Sequence, residues 1–274
     1  MSRPVQTVPP DPEIPISLVR RLASSSLFLG FVSIASVALL WQFAVSIFPI
    51  PSYLLPSPTE IGSSMVSQFA FQWKHALVTL REILIGFGIA VAIGIPMAVA
   101  ITFVPVVQKL FYPILVATQA VPKVAVAPLF LVWFGFGEAP KFAMAALIAV
   151  FPIIIDTAVG LRAIDPDMIR LAKSMRAGSL KTFWKVRLPI ALPNIFAGLK
   201  MAMTFAVIGA VVGEFVAGTS GLGYLIQSAT GNMQTTVAFA SIVLLSLIGI
   251  ALFYIVEAFE RIFLPWHHSM ERLY

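Results

Sequence analysis

Among the ionisable side chains inside otherwise apolar stretches of this chain, five stand out: Arg81, Lys123, Asp156, Lys200 and Glu214. A charge in hydrocarbon is costly, so each is a functional suspect: it lines a polar path, takes part in a relay, or pairs across helices. Other chemistries are missing their parts. With no Cys, disulfides and Cys-ligated zinc or iron–sulfur sites are excluded. The only His residues are His75, His267 and His268, and none forms a His-Glu-x-x-His pair for zinc. They also lie near the ends of apolar runs, so no Ser has a plausible histidine base within the membrane. "GSLKT" (Gly178–Thr182) has the Lys-Thr of a phosphate-binding loop but not the Gly-rich backbone before it. The chain is therefore not expected to bind or hydrolyse ATP, and passage of a solute suits its residues better than covalent catalysis.

The elements that must position these charges are apolar helices. The 274 residues are 59% hydrophobic and 11% charged, against about 25% charged in a soluble domain. Six apolar runs approach or exceed the ~20 residues that cross a bilayer as helix. They are read as Leu27–Phe48, Ala76–Phe103, Val106–Phe134, Pro140–Ile164, Pro193–Ala217 and Thr236–Phe263. The alternating segments of about ten residues needed for a membrane barrel are absent. The expected fold is all-α and polytopic. Its expected parts are an N-terminal tail (1–26), a transmembrane domain (27–263) with a charged loop (165–192), and a C-terminal tail (264–274). The Arg20-Arg21 pair precedes a run too long for a signal peptide, read as an uncleaved first span. "FPIPSYLLPSPTEI" (Phe48–Ile61) is read as an external segment stiffened by its prolines.

One set of connecting segments holds Arg3, Arg20, Arg21, Lys109, the Arg162–Arg187 group, Arg261 and Arg272; the other holds only Lys74 and Lys141. By the positive-inside rule, both termini and the charged loop are cytoplasmic. The net charge of +6 is read as topology, with no nucleic-acid partner expected. This direction puts Asp156 and Lys200 in the inner part of the spans, where they can pair. Glu214 falls near the outer end, where Lys123 or Arg81 can neutralise it or favour an anionic solute. Structural ion pairing and snorkelling are the plainer reading of all five. In span three, Pro113, Pro122 and Pro128 interrupt the helix, and a bend there faces either a pathway or ordinary packing. "GEFVAGTSGLGYLI" (Gly213–Ile226) reads as the end of span five and a re-entrant or surface segment. Gly86, Gly88 and Gly94 permit close helix contact.

The loop "AIDPDMIRLAKSMRAGSLKTFWKVRLPIALP" gathers five Lys or Arg after Leu171 with no acid. Asp165 suits an N-cap, with Pro166 at the first helical position. Met168, Leu171, Ala172 and Met175 form an apolar stripe, and Gly178 fits a C′ stop. Ser179 then caps a second short helix carrying Phe183, Trp184 and Val186, which Pro189 ends. Three readings remain open on pattern alone: a lipid-surface anchor, a structural hairpin, or a docking element for a soluble partner.

The loop resembles the EAA loop of permease subunits of binding-protein-dependent ABC importers, whose pattern is E-A-A, three residues, G, nine residues, then I-x-L-P. Anchored on Leu188-Pro189, Val186 takes the Ile position, Arg176 the Gly position, and Arg170-Leu171-Ala172 the E-A-A. Ala172, Leu188 and Pro189 match; Arg170 and Arg176 depart, and Gly178 sits two residues late. "LPSPTEI", "TLREILIGFGIAVAIGIPMA", "QAVPKVAVAPLFLVWFGFG" and "VVGEFVAGTSGLGYLI" are similar to the nitrate, sulfonate and taurine branch, which includes riboflavin and thiamine-precursor importers. The resemblance implies a type I importer permease of six transmembrane helices in a bacterial inner membrane. ATP and Mg would sit on separate cytoplasmic ATPase subunits, with no cofactor in this chain. A coupling helix at about Met168–Arg176 would meet the ATPase. An external binding protein would deliver the solute, and the path would form between two permease chains, expected to be two copies of this one. A self-powered secondary transporter or channel is the alternative. It would favour a larger inverted-repeat architecture with intramembrane ion ligands.

Overall fold

The computed structural model describes residues 26–48 and 50–265, so nearly all of both expected tails, with His267 and His268, lies outside the described residues. Among the described residues every regular element is helical. The helices are α1 (Ser26–Ile47), α2 (Pro58–Ser67), α3 (Phe69–Phe103), α4 (Pro105–Ala120), α5 (Ala127–Phe134), α6 (Ala139–Arg162), α7 (Pro166–Ser174), α8 (Ser179–Thr182), α9 (Leu188–Ala217), α10 (Leu222–Gly231) and α11 (Thr235–Phe263). Two compact units divide at Thr59 and Glu60. The first holds α1, an apolar helix in the place of the first expected span.

In the second unit, α3, α6, the continuous stretch Ser179–Ala217 and α11 are each long and apolar enough to cross a membrane. Their shared core is built from small and branched side chains: Ile83 and Ala90 of α3, Ala145, Ala149 and Ile153 of α6, Ala202, Ala206 and Ala210 of α9, and Leu252 and Val256 of α11. Alanine dominates because lipid supplies no hydrophobic drive between helices, so association depends on close backbone packing. The opposite faces carry exposed Leu, Ile, Phe and Val, as a bilayer-facing surface requires.

The third expected span is two helical pieces, Pro105–Ala120 and Lys123–Phe134, bent by 93° at their junction. Of its three prolines, only Pro122 marks the break. Val121 before it is extended, with φ −75° and ψ 125°, as the residue before a proline tends to be. Pro113 stays inside α4, and Pro128 occupies the first turn of α5, where no N–H is needed. Within the segment read as external and stiffened by its prolines (Phe48–Ile61), α2 begins at Pro58.

Candidate functional site

Ionisable side chains collect at the two ends of the second unit. At one end, the loop between α6 and α9 folds as its sequence proposes at the start. Asp165 accepts the backbone N–H of Asp167 at 2.8 Å, and Pro166 opens α7. Ala172 is buried, whereas Met168, Leu171 and Met175 are 45%, 57% and 75% exposed. Arg170 pairs with Asp167 at the surface at 2.9 Å. Three of the four stripe residues therefore face outward from a short helix at the tip of the loop.

The end of α7 corrects the expected stop. The N–H of Ala177 bonds to Ala172 O at 3.0 Å and that of Arg176 to Lys173 O at 2.9 Å. This is a Schellman closure with Arg176 at C′. Arg176 has the left-handed φ of 56°, whereas Gly178 has φ −65° and is the N-cap of α8. The residue aligned with the glycine of the EAA pattern is thus the one that adopts a glycine-like backbone.

Pro189 does not end a second helix. Phe183–Arg187 form a π turn, with Leu188 N–H bonded to Phe183 O, and α9 continues through Pro189 and Pro193 to Ala217. The wider turn sits just before Pro189, whose missing N–H would leave a gap in an α-helical ladder. Arg187 rests 4.8 Å from the centre of the Phe103 ring. A cavity of about 830 Å³ opens here, lined by Phe103, Ile169, Phe183 and Trp184 together with Lys173 and Arg187. Higher in the spans at this end, Lys200 pairs with Glu260 of α11 at 2.6 Å, not with Asp156 as expected. Asp156 lies against Gly198 of α9. Two residues turn a helix by about 200°, so Gly198 and Lys200 face different neighbours.

At the opposite end is a buried polar cluster that sequence reasoning missed. His75, Thr79 and Glu82 lie on one face of α3, four and three residues apart. Lys141 in the first turn of α6 donates to Glu82 Oε1 at 2.6 Å, and the pair is 4% and 1% exposed. Glu214 in the last turn of α9 is fully buried. Its Oε1 accepts the Thr79 hydroxyl at 2.6 Å; its Oε2 accepts the N–H of Gly223, and that of Tyr224 at 3.3 Å. Gly221 precedes α10 with φ 110° and has no side chain to cap it. Glu214 supplies that cap from another helix, a carboxylate at a helix N-terminus where free N–H groups point. Leu222 N–H donates to Thr79 Oγ1 at 2.7 Å, and Gly221 N–H to His75 Nδ1 at 3.0 Å. "GEFVAGTSGLGYLI" is thus the end of α9, a turn, and the start of a helix fastened to α3.

The two expected neutralisers of Glu214 lie elsewhere. Arg81 pairs with Glu138 at 2.8 Å, with both side chains exposed. The Lys123 ammonium stands 4.4 Å from the centre of the Phe151 ring. The cation associated with the cluster is Lys141, which the sequence presents only as a loop charge. The legible signal was the His75, Thr79, Glu82 spacing; Lys141 and Glu214 join it only through tertiary packing.

A family described as "Binding-protein-dependent transport system inner membrane component" matches residues 90–266. A probable ABC transporter permease protein of Haemophilus influenzae is 36% identical over 219 residues, covering 80% of this chain and 89% of that one. The riboflavin transport system permease protein RibX of Chloroflexus aurantiacus is 35% identical over 240 residues, covering 87% and 90%. Among solved structures, a chain of the inward-facing MetNI methionine ABC transporter has the same fold, with a TM-score of 0.61 at 19% identity over 72% of this chain and 98% of that one.

Proposed function

The chain belongs to the family of binding-protein-dependent transport system inner membrane components, and on that premise we propose how it couples to its ATPase and what it carries. It is the membrane-spanning permease subunit of an ATP-driven importer; ATP hydrolysis belongs to a separate subunit. α7 docks on the cytoplasmic ATPase. The observation that carries this reading is the outward row of Met168, Leu171 and Met175 on a short, well-capped helix joining two long spans. In water such a row favours a partner groove, and the basic residues that follow it support a cytoplasmic position for the loop. Both termini then share that side. An external binding protein meets the opposite end, and two copies of this chain enclose the path.

The solute is small and polar or anionic. Lys123 supports this reading, because among the described residues it makes no ion pair and faces only an aromatic ring. Arg81, Asp156, Lys200 and Glu214 are more constrained: two are in ion pairs, Glu214 is fully buried and Asp156 packs on α9. They shape the path indirectly. Lys123→Met should lower uptake and substrate-stimulated ATP hydrolysis while the complex still assembles; wild-type rates for both would remove Lys123 from the path.

Docking is tested by co-purifying the chain with its ATPase subunit, wild type beside a variant with Met168, Leu171 and Met175 changed to Asp. The variant should fold and lose the ATPase. Retention at the wild-type level would show that α7 is not the docking element.

A further inference from the structure

The polar cluster under α10 carries an unbalanced charge. Two buried carboxylates, Glu82 and Glu214, 1% and 0% exposed, meet around Thr79: its hydroxyl donates to Glu214 Oε1 at 2.6 Å, and Glu82 follows it three residues on along the same face of α3. Among the described residues one cation, Lys141, pairs with this cluster, through Glu82. The other groups facing the pair are His75, Thr79 and Arg81 from α3, Glu138 just before α6, and Tyr224 with the N–H groups of Gly221, Leu222 and Gly223 at the start of α10. The histidine is not a second cation against the pair, because its Nδ1 accepts the N–H of Gly221. Arg81 is committed to Glu138.

Hydrogen bonds locate the imbalance at one atom. Both oxygens of Glu214 accept, one from Thr79 and the other from Gly223 and Tyr224. Glu82 Oε1 accepts from Lys141, but Glu82 Oε2 is buried and has no donor among the described residues. An ionised oxygen left without a donor beside a second carboxylate combines desolvation with like-charge repulsion. Protonation changes that oxygen from an unpaired acceptor into a donor. One ammonium, one carboxylate and one carboxylic acid are neutral together.

We propose that Glu82 and Glu214 form a proton-binding site holding one proton, carried on Glu82 Oε2 and donated to Glu214. This proton keeps Glu214 in place as the cap of α10. The site is therefore a proton-dependent clasp on the Leu222–Gly231 helix. Its titration belongs to the pair and not to either residue alone. Loss of the proton sets two negative groups against each other and loosens the anchor of Gly221 to Tyr224.

The test is infrared spectroscopy of the purified full chain in lipid nanodiscs, following the carbonyl stretch of a protonated carboxylic acid. At neutral pH the wild type should show this band, and both Glu82→Gln and Glu214→Gln should lose it. A wild type without the band overturns the proposal. So does a band that persists in both variants, which would belong to another carboxyl. Glu82→Gln should fold as the wild type does, since its amide donates where the acid O–H does; failure of this variant to fold counts against the proposal. Hydrogen exchange gives an independent readout. After correction for intrinsic exchange, protection at Gly221 to Tyr224 should fall about tenfold or more in alkaline buffer for the wild type. It should stay level for Glu82→Gln, and an equal fall in both would overturn the clasp.

Discussion

Arg176→Gly should make this protein more stable, although it removes a side chain and loosens the unfolded backbone. Arg176 occupies the C′ position of α7 at φ 56°, and its own N–H and that of Ala177 both close the helix end. A left-handed L-residue costs about 1–2 kcal/mol. Glycine relieves that cost but is disfavoured relative to alanine by about 0.5–1 kcal/mol through the greater backbone freedom it loses on folding. The difference of the midpoints leaves about 0.75 kcal/mol in favour of glycine. Arg176 is exposed, so its charge and packing are best controlled with Arg176→Ala, which keeps the strain and drops the guanidinium. A net gain of this size corresponds to about 1–4 °C in a chain of this length. Thermal unfolding of the two variants in one detergent, followed by tryptophan fluorescence, measures it. If Arg176→Gly melts at or below Arg176→Ala, the left-handed C′ assignment is wrong, and with it the reason given for a glycine at this point of the loop pattern.

Two further perturbations separate packed from unpacked sites. A Cβ at Gly209 would stand 2.6 Å from Ala145 Cα and 2.7 Å from Met144 O, both backbone atoms, whereas one at Gly88 would meet nothing within 4 Å. Gly209→Leu should therefore cost about 3 kcal/mol or more and abolish monodisperse protein by size-exclusion chromatography, while Gly88→Leu should purify normally. Lys141→Met removes the cation bound in the buried Glu82–Glu214 cluster, leaving its one negative charge without a counter-charge, and should cost about 3–5 kcal/mol. Arg81→Met breaks an exposed pair and should cost no more than about 1 kcal/mol. Unfolding in denaturant compares the two, and equal losses would refute the burial argument.

Much of the fold was legible because a bilayer imposes a simple code. A run such as Thr236–Phe263 must be helical, since no other open backbone satisfies its polar groups in hydrocarbon. Local capping was equally readable at Asp165-Pro166, where side-chain chemistry and chain direction coincide. The C-terminal stop was not. Gly178 looked right by residue type, but the closing hydrogen bonds fall two residues earlier and impose a left-handed φ on an arginine. Pro189 failed as a stop for a related reason: a π turn carries the chain past it. The pairings failed at a higher level. Sequence places Lys200 and Asp156 at similar depth, but depth does not specify rotation about the helix axis. Lys200 faces α11, and Glu260, placed near the end of the last span, is its partner. The Glu214 cluster needed contributions from α3, α6, α9 and α10 at once, and no single window of sequence contains them.

The same packing specifies what motion the loop can transmit. α6 and α9 run antiparallel in near backbone contact along almost their whole length. A Cβ at Gly213 would meet Lys141 Cα at 2.8 Å, one at Gly209 the backbone at Ala145, one at Gly198 Pro152 O at 3.1 Å, and one at Gly160 Ala191 O at 2.9 Å. Backbone at that spacing does not slide freely, because each glycine forms a slot that its neighbour fills. The loop with α7 joins these two helices directly. A displacement applied at Met168 and Leu171 is therefore expected to move α6 and α9 as one rigid body, without changing the register between them. The far end of that body holds Lys141 and Glu214, one residue from each helix, both tied to Glu82 and Thr79 of α3. Rigid movement of α6 and α9 must then either carry α3 with it or break the polar cluster. The bonds from α3 and α9 to Gly221, Leu222 and Gly223 make α10 the element that registers which of the two occurs.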